Sequence, residues 1–503
     1  MVLNGSTVSG NSTTGDNADG GGLRTFGTVA LTNSTVSGNS TTGDDAEGGG
    51  ISAGRRAVTL TSSTVSGNST AGDAALGGGI FARSGANVTL TDSTISGNST
   101  TGYDADGGGI SLIGSGGNLT LASSTVIGNS TAGDRADGGG IHNPGDVTLT
   151  DSTVSGNSTV GFNAYGGGVS VGLAGSDGTV TLTNSTVTGN STAGYSADGG
   201  GIRAFGTVTL NDSTVSGNST AGGSANGGGI SVGVGYFSYR TSTVTLTNST
   251  VSGNSTEGFF AYGGGISVNS GVLTLTDSAV SGNSARGDGG GIYAAFADLT
   301  FTNSEVSGNS VVFGSGGGIF AFSDADLTFT DSSVSGNSAT RSGGGIFATA
   351  GADLTFIDSE VSGNSTTGRA ASGGGITIIG GDLTLTDSTV SGNSTTGENA
   401  DGGGISANAG ANVTLTDSTV SGNSTAGDDA DGGGISANAG ANVALTDSTV
   451  TGNSTAGDDA YGGGILVSES DLALTNSTVT GNSTAGDNAS GCLLYTSPSP
   501  RDS

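Results

Sequence analysis

Apolar and hydroxyl-bearing residues alternate with a period of two in short runs such as Val58-Thr59-Leu60-Thr61. That is the pattern of a strand with one buried face. Val65 starts a second extended piece, and Ile51 with Ala53 a third. Bends of Asn, Asp, Ser and Gly separate them. No segment carries a 3.6-residue periodicity, and Gly and β-branched residues dominate, which disfavours helices. The pattern then repeats. A Ser/Thr/Ile-Gly-Asn triplet recurs 17 times, its Asn running from Asn11, Asn39 and Asn68 to Asn423, Asn453 and Asn482. A Gly-Gly-Gly landmark followed by Ile, Leu or Val interleaves with it, as at Gly107-Gly108-Gly109-Ile110. These spacings predict an all-β parallel β-helix solenoid of about 16 coils, each of roughly 29 residues and three short strands, with coils stacked about 4.8 Å apart.

A single coil offers too few inward apolar side chains to offset the entropy of ordering its backbone. Stability must therefore come from stacking, coil on coil. The Asn column, unbroken over all its copies, is expected to form an amide ladder of the kind that holds stacked Asn in cross-β arrays.

Composition sharpens this picture. With 103 Gly, no Trp and a net charge of −31, the chain sits near the boundary of disorder, and only the fixed columns argue for order. The 11 basic residues are all Arg, too few for a duplex nucleic-acid partner. No apolar run approaches the roughly 20 residues of a membrane-spanning helix. The single Cys is Cys492, so residues 1–491 can form no disulfide framework.

The Gly-Gly-Gly-Ile landmark and Val-Ser-Gly-Asn, as at Val36 to Asn39 and Val420 to Asn423, resemble the paired Gly-Gly-Ala-Ile and Phe-x-x-Asn signatures of chlamydial polymorphic outer-membrane protein repeats, with Val or Ile standing for Phe. More broadly, residues 1–491 resemble bacterial right-handed parallel β-helix repeat proteins of the cell surface. The resemblance implies a right-handed coil. Its members include adhesins, autotransporter passengers, polysaccharide lyases and ice binders, so function has to be argued from sites. After Gly491 the repeat breaks into Cys492-Leu-Leu-Tyr-Thr-Ser-Pro-Ser-Pro-Arg-Asp-Ser503. This tail resembles translated adapter sequence, and residues 492–503 are expected to be non-native. The chain also starts inside a repeat, so residues 1–491 read as a fragment uncapped at both ends.

Several groups could carry chemistry. Glu398, Asp401, Asp428, Asp429, Asp431, Asp458 and Asp459 fall along one edge of successive coils. Like charges at that spacing repel, and oxygen-rich bends suit calcium; the other reading of the column is a solvated acidic edge with no cofactor. By strand parity Phe301, Phe329 and Phe356 face inward as a core stack, whereas Tyr293, Phe320 and Phe347 face outward as a binding stripe. The largest insertion carries Tyr236, Phe237, Tyr239 and Arg240 and is the best candidate recognition loop. Outward Thr pairs such as Thr59 and Thr61, or Thr414 and Thr416, resemble ice-binding arrays. His142 reads as a turn histidine, and near-uniform coils argue against a cleft. The reading that follows is an extracellular, cell-surface or outer-membrane β-helix that is structural or adhesive and non-catalytic. Its expected partners are glycans or proteins of host or neighbouring cells. A polysaccharide lyase or glycoside hydrolase, and an ice-binding or calcium-dependent surface-layer-like protein, are the alternatives.

Overall fold

The computed structural model describes residues 1–83, 85–114, 116–172, 177–233 and 242–491, and the backbone of 493–496. It contains no helix among these residues. The fold is a parallel β-solenoid of about 16 turns of ~29 residues. The chain divides into two compact units, Met1–Ser267 and Val268–Ser503.

In the first unit, the coil that begins at Gly138 shows the plan. Strands Ile141–Asn143 and Val147–Thr150 lie in one sheet, Thr153–Ser155 in a second and Ser158–Val160 in a third. Two of the expected strand pieces thus share a sheet. The third sheet is built on Asn-Ser-Thr, where no strand was expected because the run has no apolar residue. Each strand pairs in parallel with its equivalent in the next coil, Val147 with Val180 and Val154 with Val187. Ile141, Val147, Leu149 and Val154 are buried and line the core. The third sheet turns Thr159 inward, and its hydroxyl donates to the Ala164 carbonyl at 3.0 Å.

Polar ladders complete each coil. The backbone N–H and side-chain amide of Asn157 both donate to Asn190 Oδ1 (3.0 and 2.9 Å), and the amide also donates to the Val126 carbonyl at 3.0 Å. The Asn column is therefore a fully hydrogen-bonded ladder, as expected. A second ladder runs along the Ser corners. Ser152 N–H donates to Ser185 Oγ at 3.1 Å, while Ser152 Oγ donates back to the Thr150 carbonyl at 2.7 Å. The preceding residue, Asp151, has φ 50°, a left-handed conformation that Asp and Asn adopt more readily than most side chains.

The Gly-Gly-Gly landmark has a steric cause. At Gly138 (φ +68°) a Cβ would lie 2.3 Å from the Ile141 carbonyl oxygen, and at Gly139 another would lie 2.3 Å from that of Ser158. The chain crosses its own first strand here, and only Gly leaves room.

The second unit follows the same plan. Its Asn ladder includes Asn364, Asn393 and Asn423, linked at 2.9 Å. Phe301, Phe329 and Phe356 are buried and stack with ring centroids 4.4 and 4.5 Å apart, which is the inward ladder that parity predicts. Within the C-terminal segment expected to be non-native, Leu493–Thr496 runs parallel to Ile465–Ser468.

Candidate functional site

The crossing at Gly-Gly-Gly has a consequence for the residue after each inward Ile. That residue points out of the core, but the bend before the glycines folds over it. In the first unit one stretch of this column, between Phe81 and Ser231, reads Ser111, His142, Ser170 and Arg203, paired in register. All four are buried; His142 keeps 3% of its surface exposed and Arg203 4%. His142 therefore sits on a strand beneath a bend, not in a turn.

The covering bend supplies acids. Asp106 Oδ1 accepts the Asp137 N–H at 2.7 Å, Asp137 Oδ1 accepts that of Tyr165 at 2.7 Å, and Asp198 Oδ1 accepts that of Asn226 at 2.6 Å. His142 Nε2 lies 3.6 Å from Asp106 Oδ2, beyond a good hydrogen bond. The Arg203 guanidinium lies over Phe205 at 3.8 Å and over Tyr165 at 4.9 Å, in cation–π contact with both. Between the bend and the strand lies a cavity of about 480 Å³, lined by Asp104, Asp106, Arg135, Asp137 and His142 together with Asn163, Tyr165 and Phe205. Near-uniform coils do make a cleft after all, because one short bend suffices to overhang the next strand.

Burial governs the electrostatics of this cleft. It pushes Asp106 up to about 8, with Asp104 adding repulsion and the Asp137 N–H opposing. Burial, followed by repulsion from Asp106, raises Asp137 to about 7, against the pull of His142 and Arg203. Asp198 rises to about 6, held back by Arg203. His142 is pushed down by burial, with Asp137 opposing. The Asp106 side chain keeps 20% of its surface open to solvent. Near pH 7 Asp106 is therefore mostly neutral and Asp137 partly so, and in that form each can both donate and accept hydrogen bonds, whereas Asp198 is mostly ionised.

The acidic edge of the second unit is tied to the backbone of the next coil. Asp401 Oδ1 accepts the Asp431 N–H, Asp431 Oδ1 that of Tyr461, and Asp428 Oδ1 that of Asp458. Asp429 and Asp459 occupy the left-handed position of the bend (φ 53° and 55°), and Glu398 lies 3.4 Å from Arg369. The carboxylates are spread over separate columns. Among the described residues no three His, Cys, Asp or Glu side chains gather where they could hold a metal ion. Burial raises Asp401 and Asp431 to about 6.

Tyr293, Phe320 and Phe347 stack, with centroids 5.5 and 5.2 Å apart. They occupy the covered column, however, so Tyr293 is buried and the two Phe half-buried. Parity gives the correct side of the strand but not the bend above it. The exposed aromatics lie elsewhere. Tyr103, Phe162, Tyr195 and Phe259 each directly follow the bend Gly and are 44–63% exposed, and Phe162 stacks on Tyr195 at 5.9 Å. The recurring Gly-aromatic dipeptide was the available signal for them. Tyr236, Phe237, Tyr239 and Arg240 lie outside the described residues. The Thr columns do face outward in register, Thr59 beside Thr89, then Thr120, Thr148 and Thr181.

The profile of the right-handed β-helix region matches residues 2–177, 264–433 and 369–497. The chain belongs to the right-handed β-helix family. Among solved structures, this β-helix chain matches Vag8 in the cryo-EM structure of the Vag8–C1 inhibitor complex. The TM-score is 0.50 at 16% identity, over 96% of this chain and 100% of that one, a likeness that shows the fold alone. The PL6 family alginate lyase AlyGC aligns at a TM-score of 0.17 and 11% identity, over 96% of this chain and 97% of that one, too slight to carry an argument. No curated protein matches.

Proposed function

We propose that this β-helix is a secreted or cell-surface bacterial scaffold that binds a partner on its bends and carries out no catalysis. One observation carries the reading. The Asn and Ser side chains are committed to bonding the next coil and inward Thr such as Thr159 to their own bend, whereas aromatic residues recur on the exposed bends at Tyr103, Phe162, Tyr195 and Phe259. Exposed apolar groups on a rigid support mark interaction surfaces. Vag8, which shares the fold, is in complex with C1 inhibitor, and this supports a protein partner here. The test is a panel of cell-surface proteins and polysaccharides, assayed for binding and turnover together with the full chain. Saturable binding lost in Phe162→Ala/Tyr195→Ala is expected, without release of reducing ends or unsaturated uronates. Turnover of any polymer would sink the non-catalytic reading.

The in-register Thr columns favour a second reading, ice binding. A thermal hysteresis measurement decides it: a freezing gap that disappears in Thr120→Lys would support this reading over the first.

A further inference from the structure

Ser111, His142 and Arg203 share one property besides their column. Ser111 Oγ, His142 Nδ1, and Arg203 Nε and Nη1 are buried without a hydrogen-bond partner among the described residues. A buried polar group left unpaired costs about 1–3 kcal/mol, and a run of them along one column is the mark of a site completed by something else. The two neighbours of His142 in register are Ser111 and Ser170, and His142 itself lines the cavity with Asp106 and Asp137. His142 thus brings an unpaired group to a cavity whose volume of about 480 Å³ is that of a small-molecule site, with Ser111 and Arg203 flanking it in the same column.

The lining restricts what can enter. Asp104 disfavours an anion, Arg135 and the nearby Arg203 disfavour a cation, and burial moves Asp106 and Asp137 towards their neutral forms. The polar groups include donors and acceptors interleaved at short range, as in Asp106, Asn163 and His142. The apolar part is aromatic. Phe205 and Tyr165 both line it, with the Arg203 guanidinium over each ring, and Tyr103 sits in the same bend as Asp104 and Asp106 with the Arg135 guanidinium 5.6 Å over its ring. A ligand that matches is uncharged, carries hydroxyls able both to donate and to accept, and presents C–H faces to aromatic rings.

We infer that the cleft formed by Asp106, Asp137, His142, Asn163, Tyr165 and Phe205 binds a neutral sugar unit of a glycan. The inference deepens the surface-binding reading and rests on it only for the source of the sugar. The probes are cellotriose, mannotriose and galactotriose, with trigalacturonate as the charged counterpart, titrated into the full chain by calorimetry and ligand-observed NMR. At least one neutral trisaccharide should bind saturably. Phe205→Ala should weaken it tenfold or more. Asp106→Asn keeps an oxygen for the Asp137 N–H, so the coil is preserved, and should weaken binding severalfold. Phe347→Ala, in the second unit, should leave it unchanged, and matching circular dichroism spectra establish that the variants are folded. Failure of every neutral probe to bind overturns the inference. So does binding that survives both cleft variants, or tighter binding of trigalacturonate. None of these results touches the docking of a partner on Phe162 and Tyr195. Conversely, hydrolysis of a bound probe would support the cleft while sinking the non-catalytic reading.

Discussion

The column that follows the inward Ile has opposite characters in two stretches, one of four coils in the first unit and one of three in the second. Phe81 in the first unit and Thr377, Ser406 and Ser436 in the second show that neither character belongs to a whole unit. In the first stretch it holds Ser111, His142, Ser170 and Arg203 beneath acidic bends, with several polar atoms unpaired. In the second it holds Tyr293, Phe320 and Phe347, which complete one another by stacking 5.5 and 5.2 Å apart. The backbone around the two is the same: Gly138 and Gly289 have φ of 68° and 69°, and a Cβ at either would strike the following Ile carbonyl. A covered outward column is therefore a property of the fold, and its contents are free to vary. Filled with rings it is closed and self-sufficient. Filled with Ser111, His142 and Arg203 it keeps buried polar atoms unpaired, whereas Thr377 and Ser406 in the second unit find partners close by.

If the scaffold is common and only this column differs, the Asn ladder should matter equally in both units. Asn157→Ala removes an acceptor for the Asn129 N–H and amide, and a donor to Asn190 and Val126. Asn393→Ala does the same to Asn364, Asn423 and Val361. Each should cost roughly 3–5 kcal/mol, since several buried groups lose their partners at once. Because a repeat array need not unfold as a single unit, hydrogen exchange of amides in the flanking coils is the suitable measurement. A loss below about 1 kcal/mol in one unit alone would break the claim of a shared scaffold.

The aromatic side of the comparison is sharpened by Phe329. Truncation to Ala empties the middle of a buried stack and should cost about 3–4 kcal/mol. Phe329→Leu should cost only about 1 kcal/mol, because Leu is what the same position carries elsewhere, as where Phe356 pairs with Leu385. Phe320→Ala, half-buried beneath a bend, should fall between them. Denaturant melts of the three variants give the order. A Phe320→Ala loss as large as that of Phe329→Ala would mean that the covered column is as much core as the inward one.

The sequence made the solenoid legible because stacking demands identity: Asn157 must meet Asn190, and Val154 must meet Val187. It hid the Ser ladder, since Ser before Thr at a corner looks like ordinary turn chemistry until Ser152 N–H is seen to reach Ser185 Oγ. It hid the cleft for a related reason. Alternation tells which side of a strand a residue occupies, and says nothing about a bend that crosses above it. His142 and Arg203 are separated by 61 positions in the chain and become neighbours of one column only when the coils are aligned on Gly-Gly-Gly. Asp106, Asp137 and Asp198, each just before that triplet, become visible in the same alignment.

A small effect is also expected in the response to pH, and it separates the units again. Burial raises Glu47, Asp106, Asp137 and Asp198 in the first unit to about 7, 8, 7 and 6, and raises Asp401 and Asp431 in the second to about 6. A carboxyl whose folded-state pKa lies above its unfolded value favours folding in its neutral form. That stability is fully present below about pH 4 and is lost as pH rises through the folded value. His142, pushed down by burial, acts in the opposite sense: its contribution is present above its ordinary value and is lost as pH falls. The carboxyls outnumber it. Amide protection in the first unit, corrected for intrinsic exchange, should therefore decline from pH 5 to pH 8, whereas in the second the decline should be complete near pH 7. The difference should be on the order of 1–2 kcal/mol, reduced from the full linkage value by the water that reaches Asp106 through the cleft mouth. Asp106→Asn/Asp137→Asn should flatten the first profile and leave the second untouched. Equal profiles in the two units would show that the cleft carboxyls are as well solvated as those of an ordinary bend.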